Sequence, residues 1–118
     1  MINLYGTPKQ INFARDIRNK IITSIDIAEV YITEEMSFNK EIMYKNYFYV
    51  VMEFARPKRS DFDQDWTGTR EHISALQNYD KLSPDQVVQC AKNIIATKAS
   101  ASWYIENVKD IIKKSKIF

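Results

Sequence analysis

The sequence predicts an all-α protein: one compact helical bundle of four to six helices over residues 1–118, with its first and last helices packed together. Three observations carry the prediction. Apolar residues recur every three or four positions along most of the chain, the period of a helix face. Two of these stripes open on Thr7-Pro8 and Ser83-Pro84, a hydroxyl able to cap followed by a proline whose missing N–H costs nothing at the first helical position. Glycine and proline are scarce, at two and three in 118 residues, so there are few places to turn and the elements must be long. A chain of this length buries roughly two-thirds of its unfolded surface without disulfide or metal.

The first stripe runs from Pro8 through Ile11, Ala14, Ile17, Ile21, Ile25 and Ala28 to about Ile32. Thr23-Ser24 either continues this helix or breaks it with a fresh N-cap; both options stay open. Asp26, Glu29, Glu34 and Glu35 follow with no cation between Ile25 and Met36, giving a polar face of one sign. Ser37 is expected to cap a second helix from Phe38, with Ile42, Tyr44, Tyr47, Phe48, Val51, Met52 and Ala55 at helical spacing. The run Tyr47-Phe48-Tyr49-Val50-Val51-Met52 also suits a buried strand. Helix is preferred because no second strand with a hairpin signal lies nearby. Pro57 closes the element, since the residue before a proline is pushed out of the α region.

Residues 58–69 are polar and turn-rich and form the longest expected loop, the kind of segment that often carries function. Thr69 is expected to cap a short helix over residues 70–79. Ser83-Pro84-Asp85-Gln86 pairs a cap serine with a glutamine three residues on, and Val87, Val88, Ala91, Ile94 and Ile95 follow as a buried face. Residues 97–102 either interrupt this helix or carry it through. Trp103, Tyr104, Ile105, Val108, Ile111 and Ile112 resume the stripe, and Lys109, Lys113, Lys114 and Lys116 complement the negative end of its dipole.

Seventeen Lys and Arg against fifteen Asp and Glu leave a net charge of +2, too little to imply nucleic acid from bulk electrostatics. Cys90 is alone, excluding an intramolecular disulfide, and reads as a buried thiol of a reducing cytoplasm. No secretory signal pattern opens the chain, and no apolar run reaches the ~20 residues that span a bilayer. Catalytic patterns are thin. His72 is the one histidine, and there is no Gly-rich loop, no C-x-x-C and no nucleophile elbow, so the chain is expected to be no enzyme and to hold no cofactor or metal. Asp61-x-Asp63-x-Asp65 imitates the first half of a calcium loop. Its second half fails, with Trp66 where glycine is required and His72 where a bidentate glutamate belongs, so a solvated acidic loop is the better reading.

Basic residues gather at Arg56, Lys58 and Arg59 and again at Lys109, Lys113 and Lys116, the latter sharing one helical face by spacing. Such patches can bind nucleic acid weakly through counterion release, which makes direct nucleic-acid binding the alternative reading. Aromatic density points elsewhere. A helix cannot bury Tyr47, Phe48 and Tyr49 on one face, so at least one tyrosine should stand exposed or meet a partner. Tyr47, Tyr49 or Tyr104 could equally sit at a self-interface, leaving the protein a monomer or a homodimer.

Gly6-Thr7, Lys9-Gln10, Ala14 and Ile17-Arg18 near the start, with Ala99 or Ala101, Trp103, Tyr104, Ile105, Glu106 and Asn107 near the end, resemble motifs of small uncharacterised proteins carried by phages and mobile elements of Firmicutes. The resemblance covers the two terminal quarters and leaves residues 36–82 unmatched. Glu106 and Tyr104 stand where such proteins often have aspartate and tryptophan. Small phage proteins of this kind include inhibitors of host defence, anti-CRISPR proteins among them. The resemblance thus implies a non-enzymatic inhibitor of a host defence nuclease, such as a Cas effector, acting by direct binding in the bacterial cytoplasm. On that reading Asp61, Asp63, Asp65 and Glu71, or Asp26, Glu29, Glu34 and Glu35, would mimic phosphates, with Trp66, Tyr47 and Tyr49 beside them as partner contacts.

Overall fold

The computed structural model describes residues 2–62 and 66–118, with Trp66 and Thr67 described by their backbone. Six α-helices follow one another: α1 (Pro8–Thr33), α2 (Phe38–Ala55), α3 (Trp66–Tyr79), α4 (Pro84–Thr97), α5 (Ala101–Asn107) and α6 (Lys109–Ser115). A single 3-10 turn, Arg59–Asp61, lies between α2 and α3. The expected all-α bundle is the fold. Among the described residues, no helix is long and apolar enough to cross a membrane.

Both proline-led starts form complete capping boxes. The Gln10 N–H donates to Thr7 Oγ1 at 3.2 Å while the Thr7 N–H donates to Gln10 Oε1 at 3.0 Å, and Ser83 with Gln86 repeats the arrangement. α1 runs unbroken through Thr23-Ser24 because the Ser24 hydroxyl is satisfied inside the helix, donating to the Lys20 carbonyl at 2.9 Å. Its buried stripe, from Ala14 through Ile17, Ile21 and Ile25 to Ala28, packs against α2, α4 and α5 and also meets α6. First and last helices therefore do touch, although α5 is the larger of α1's two C-terminal neighbours.

Residues 44–54 are helical, as preferred. Ser37 stands at the N-cap but its side chain makes no capping bond; its carbonyl alone accepts from the Glu41 N–H at 2.9 Å. Arg56 adopts φ −61°, ψ 134°, the extended conformation that Pro57 demands.

Several elements differ from expectation. α3 spans Trp66–Tyr79, so residues 66–69 of the expected loop are helical and Thr69 lies inside the helix, its hydroxyl accepting from Arg59 Nη2 at 3.1 Å. Residues 97–102 do interrupt the chain: α4 stops at Thr97 and Ser100 caps α5, accepting from the Trp103 N–H at 3.3 Å. The stripe after Trp103 is split at Val108 (φ −119°, ψ −30°), which is fully buried and shared as the cap of both α5 and α6. Lys116 leaves the helix in the left-handed region at φ 58°, so it does not continue the face shared by Lys109 and Lys113. Cys90 is half-buried rather than enclosed.

One core joins all of this. Phe54, fully buried, stacks on Tyr104 at 6.5 Å and meets Trp103 edge-on at 6.1 Å, linking α2 to α5. Tyr104 is itself fully buried and its hydroxyl donates to the Lys98 carbonyl at 3.2 Å, so it cannot serve a self-interface. Burial pushes its phenol up to about 12. The N-terminal arm closes the bundle: Tyr5 bridges in parallel to Ser100, and the buried Arg18 donates through Nη1 to the Ile2 carbonyl at 2.6 Å.

Candidate functional site

Asp61, one of the residues expected to face a partner, is tied to this chain. Asp61 ends the 3-10 turn, and its Oδ1 accepts from the Trp103 indole Nε1 at 2.9 Å and faces Lys98 Nζ at 3.4 Å. Ser60 beside it donates to Asn107 Oδ1 at 3.0 Å. Lys98 also lies 4.7 Å from the Trp103 ring centroid, close enough for cation–π attraction. A turn from between α2 and α3 is thereby strapped to α5. The straps supply what a buried indole needs, a hydrogen-bond acceptor. Asp63 and Asp65 lie outside the described residues, as does the Trp66 side chain; Glu71 is exposed on α3.

The basic cluster after α2 is equally committed. Lys58 folds back on the helix end and its Nζ donates to the carbonyls of Glu53, Phe54 and Arg56 at 2.6, 3.0 and 2.6 Å, satisfying groups that the helix leaves without partners. Burial pushes its ammonium down to about 8. Arg56 pairs with Asp80 at 3.7 Å, and Arg59 donates to Thr69. Lys58 thus caps the end of α2, while Arg56 and Arg59, both exposed, tie the segment after it to Asp80 and Thr69. Lys109 and Lys113 remain exposed on α6. His72 is half-buried, with Nε2 3.3 Å from the Pro57 carbonyl and its ring 5.2 Å from that of Phe62. Among the described residues no group of three or more His, Cys, Asp or Glu side chains is placed to hold a metal ion.

The uncovered surface is on α2. Its inner side, Phe48, Val51, Phe54 and Ala55, lies in the core, yet the opposite side also carries large apolar residues among its polar ones. Phe38 is 74% exposed, Ile42 51%, Met43 49% and Tyr49 48%. Every residue from Ser37 to Met43 is exposed, so the first two turns lie at the surface. Phe38, Ile42 and Tyr49 fall at i, i+4 and i+11, a single stripe of the helix. Lys45 lies on the same stripe, its Nζ 5.6 Å from the Tyr49 ring, and hydrogen bonding with Tyr49 raises its ammonium above the usual lysine range.

The stripe leads into a cleft of about 350 Å³ between α2 and α6, where Tyr49, Val50 and Ile111 supply apolar walls and Glu53, Asp110 and Lys114 the polar ones. Of the tyrosines predicted to face outward, Tyr49 does. Tyr47 is half-buried and meets Phe118 edge-on at 5.8 Å. Sequence reasoning missed Phe38, Ile42 and Met43, whose signal was a helix with large apolar residues on both sides. Comparison of the chain with protein-family models, with curated proteins and with solved structures found no match.

Proposed function

We propose that this chain is a non-enzymatic protein-binding module whose outer α2 face docks on another protein, and that its service is inhibition of a host defence nuclease, such as a Cas effector, in the bacterial cytoplasm. The exposure of Phe38, Ile42, Met43 and Tyr49 on one helix is the observation that carries it. Exposed apolar surface of this kind marks interaction sites, and tyrosine with phenylalanine brings large contact area at low entropic cost. The nuclease target follows from the terminal-segment resemblance, which supports it by context alone.

Pull-down and cleavage assays against a panel of Cas nucleases test the reading. A captured and inhibited nuclease that is lost with the double variant F38S/I42S is the expected result; absence of binding to every member sinks it. A second reading, direct nucleic-acid binding, rests on Lys109 and Lys113, four residues apart and exposed on α6. It requires a mobility shift that weakens with salt and with K109E/K113E, whereas the docking module shifts no nucleic acid without its partner.

A further inference from the structure

The exposed start of α2 has carboxylates on its border. Glu34 and Glu35 follow α1, Glu41 lies one turn into α2, and with Tyr31 and Met36 they line a cleft of about 320 Å³. All three are exposed, and the ion pairs among the described residues, Lys20–Asp16, Arg56–Asp80, Lys92–Glu29 and Lys98–Asp61, involve none of them. Next to this acidic end begins the apolar stripe. Phe38 to Tyr49 spans about 16 Å along the helix axis, some three turns. At its far end opens the α2–α6 cleft, walled by Tyr49, Val50 and Ile111.

We propose that the occupant of this face is an amphipathic helix of a partner protein, carrying a cluster of Lys or Arg at the end that meets Glu34, Glu35 and Glu41 and a large apolar residue that enters the α2–α6 cleft. The inference rests on the docking reading above and assigns the chemistry of what docks. Glu34 and Glu35, with Glu41 offset only by Lys45 one turn on, leave this end of the stripe net acidic and favour a cationic, apolar ligand, because a helix laid along α2 covers the apolar side chains while its basic end meets the carboxylates. Paired in parallel, two α2 helices bring acidic end against acidic end; paired antiparallel, the glutamates of one copy approach the other's cleft, where Glu53 and Asp110 stand among the α6 lysines, so an antiparallel second copy is the competing occupant that sedimentation tests.

Fluorescence anisotropy of labelled synthetic peptides tests it. One probe is a helical peptide of about four turns with leucines at i, i+4 and i+7, a phenylalanine near one end and lysines at the other. Its counterpart has the same apolar face with glutamates in place of the lysines. The cationic peptide is expected to bind at least about tenfold more tightly than the acidic one, and to lose about tenfold on E34Q/E35Q/E41Q and more on F38S/I42S. Equal binding of both peptides, or no effect of the glutamine triple variant, overturns the inference. So does sedimentation showing a dimer that F38S/I42S dissociates, since the occupant is then a second copy. A nuclease whose capture is lost with F38S/I42S but untouched by E34Q/E35Q/E41Q overturns the cationic occupant and leaves the docking reading standing.

Discussion

The turn at Asp61 and the start of α2 invert the usual reading of polar and apolar residues. In and beside the turn, charged side chains that look available are spent on the chain itself: Asp61 on Trp103 and Lys98, Lys58 on two carbonyls of α2 and that of its cap residue Arg56. At the start of α2, side chains that look like core stand in solvent, Phe38 and Ile42 above all. The two regions differ in whether a residue's chemistry is already used within the fold. A carboxylate whose acceptor capacity already serves a buried indole has less to offer a partner than a phenylalanine that is three-quarters exposed.

Substitutions can break this comparison. Phe54→Ala should cost about 3–5 kcal/mol, because Phe54 is fully buried between Trp103 and Tyr104. Phe38→Ala, the same chemical change at the other end of α2, should move stability by less than about 0.5 kcal/mol. Urea unfolding of the pair measures the contrast, and comparable losses would show that Phe38 is packed. Asp61→Ala should cost about 1–3 kcal/mol by leaving the Trp103 indole without its acceptor. Asp61→Asn keeps an oxygen for the indole and loses only the pairing with Lys98, which is about a third exposed at 33%; its cost should stay near 0–1 kcal/mol. If Asn proves as harmful as Ala, charge rather than hydrogen bonding holds the turn.

Smaller effects sharpen the picture. Thr7→Ala should cost about 1 kcal/mol by removing a capping-box hydroxyl, whereas Ser37→Ala, whose hydroxyl caps nothing, should cost a few tenths at most. Thermal melts of the two variants test whether α2's free end is as loosely anchored as its exposure implies. Alkali adds a directional test. Burial raises the phenols of Tyr79 and Tyr104 above their ordinary 10.0, so the unfolded chain gives up these protons first as pH climbs. Their contribution is complete below pH 10 and is lost as pH rises through and beyond it. Unfolding titrations should show stability falling above pH 10 by less in Tyr104→Phe than in the parent, and an unchanged slope would contradict the burial of that hydroxyl.

Local signals carried much of the fold. Thr7-Pro8 and Ser83-Pro84 were legible because a cap is written within four residues, and α2 was legible as a helix because nothing nearby could pair with it as a strand. The split at Val108 was not, since valine there keeps the apolar period intact and the break shows only in its dihedral angles. Asp61 was singled out for its charge, and its place in the fold was not legible. Its partners Lys98 and Trp103 lie 37 and 42 positions away, beyond what spacing can reveal. The outer face of α2 was half-legible: periodicity identified an apolar helix and required an outward tyrosine, yet it cannot say which of two sides bearing apolar residues the bundle covers.

Gly6 holds a last consequence. Its φ of 145° suits glycine, and a Cβ there would stand 2.9 Å from Gln10 Oε1 and 3.2 Å from the Ala101 methyl. The opening turn of α1 is thus shaped around a residue about 95 positions downstream, a separation that delays closure of any contact. During synthesis the Gly6 turn stays undocked until the segment around Ala101 has emerged. Its assembly is a clasp fastened late, and a destabilising change at either half should expose nascent chains to proteases before it weakens the finished molecule.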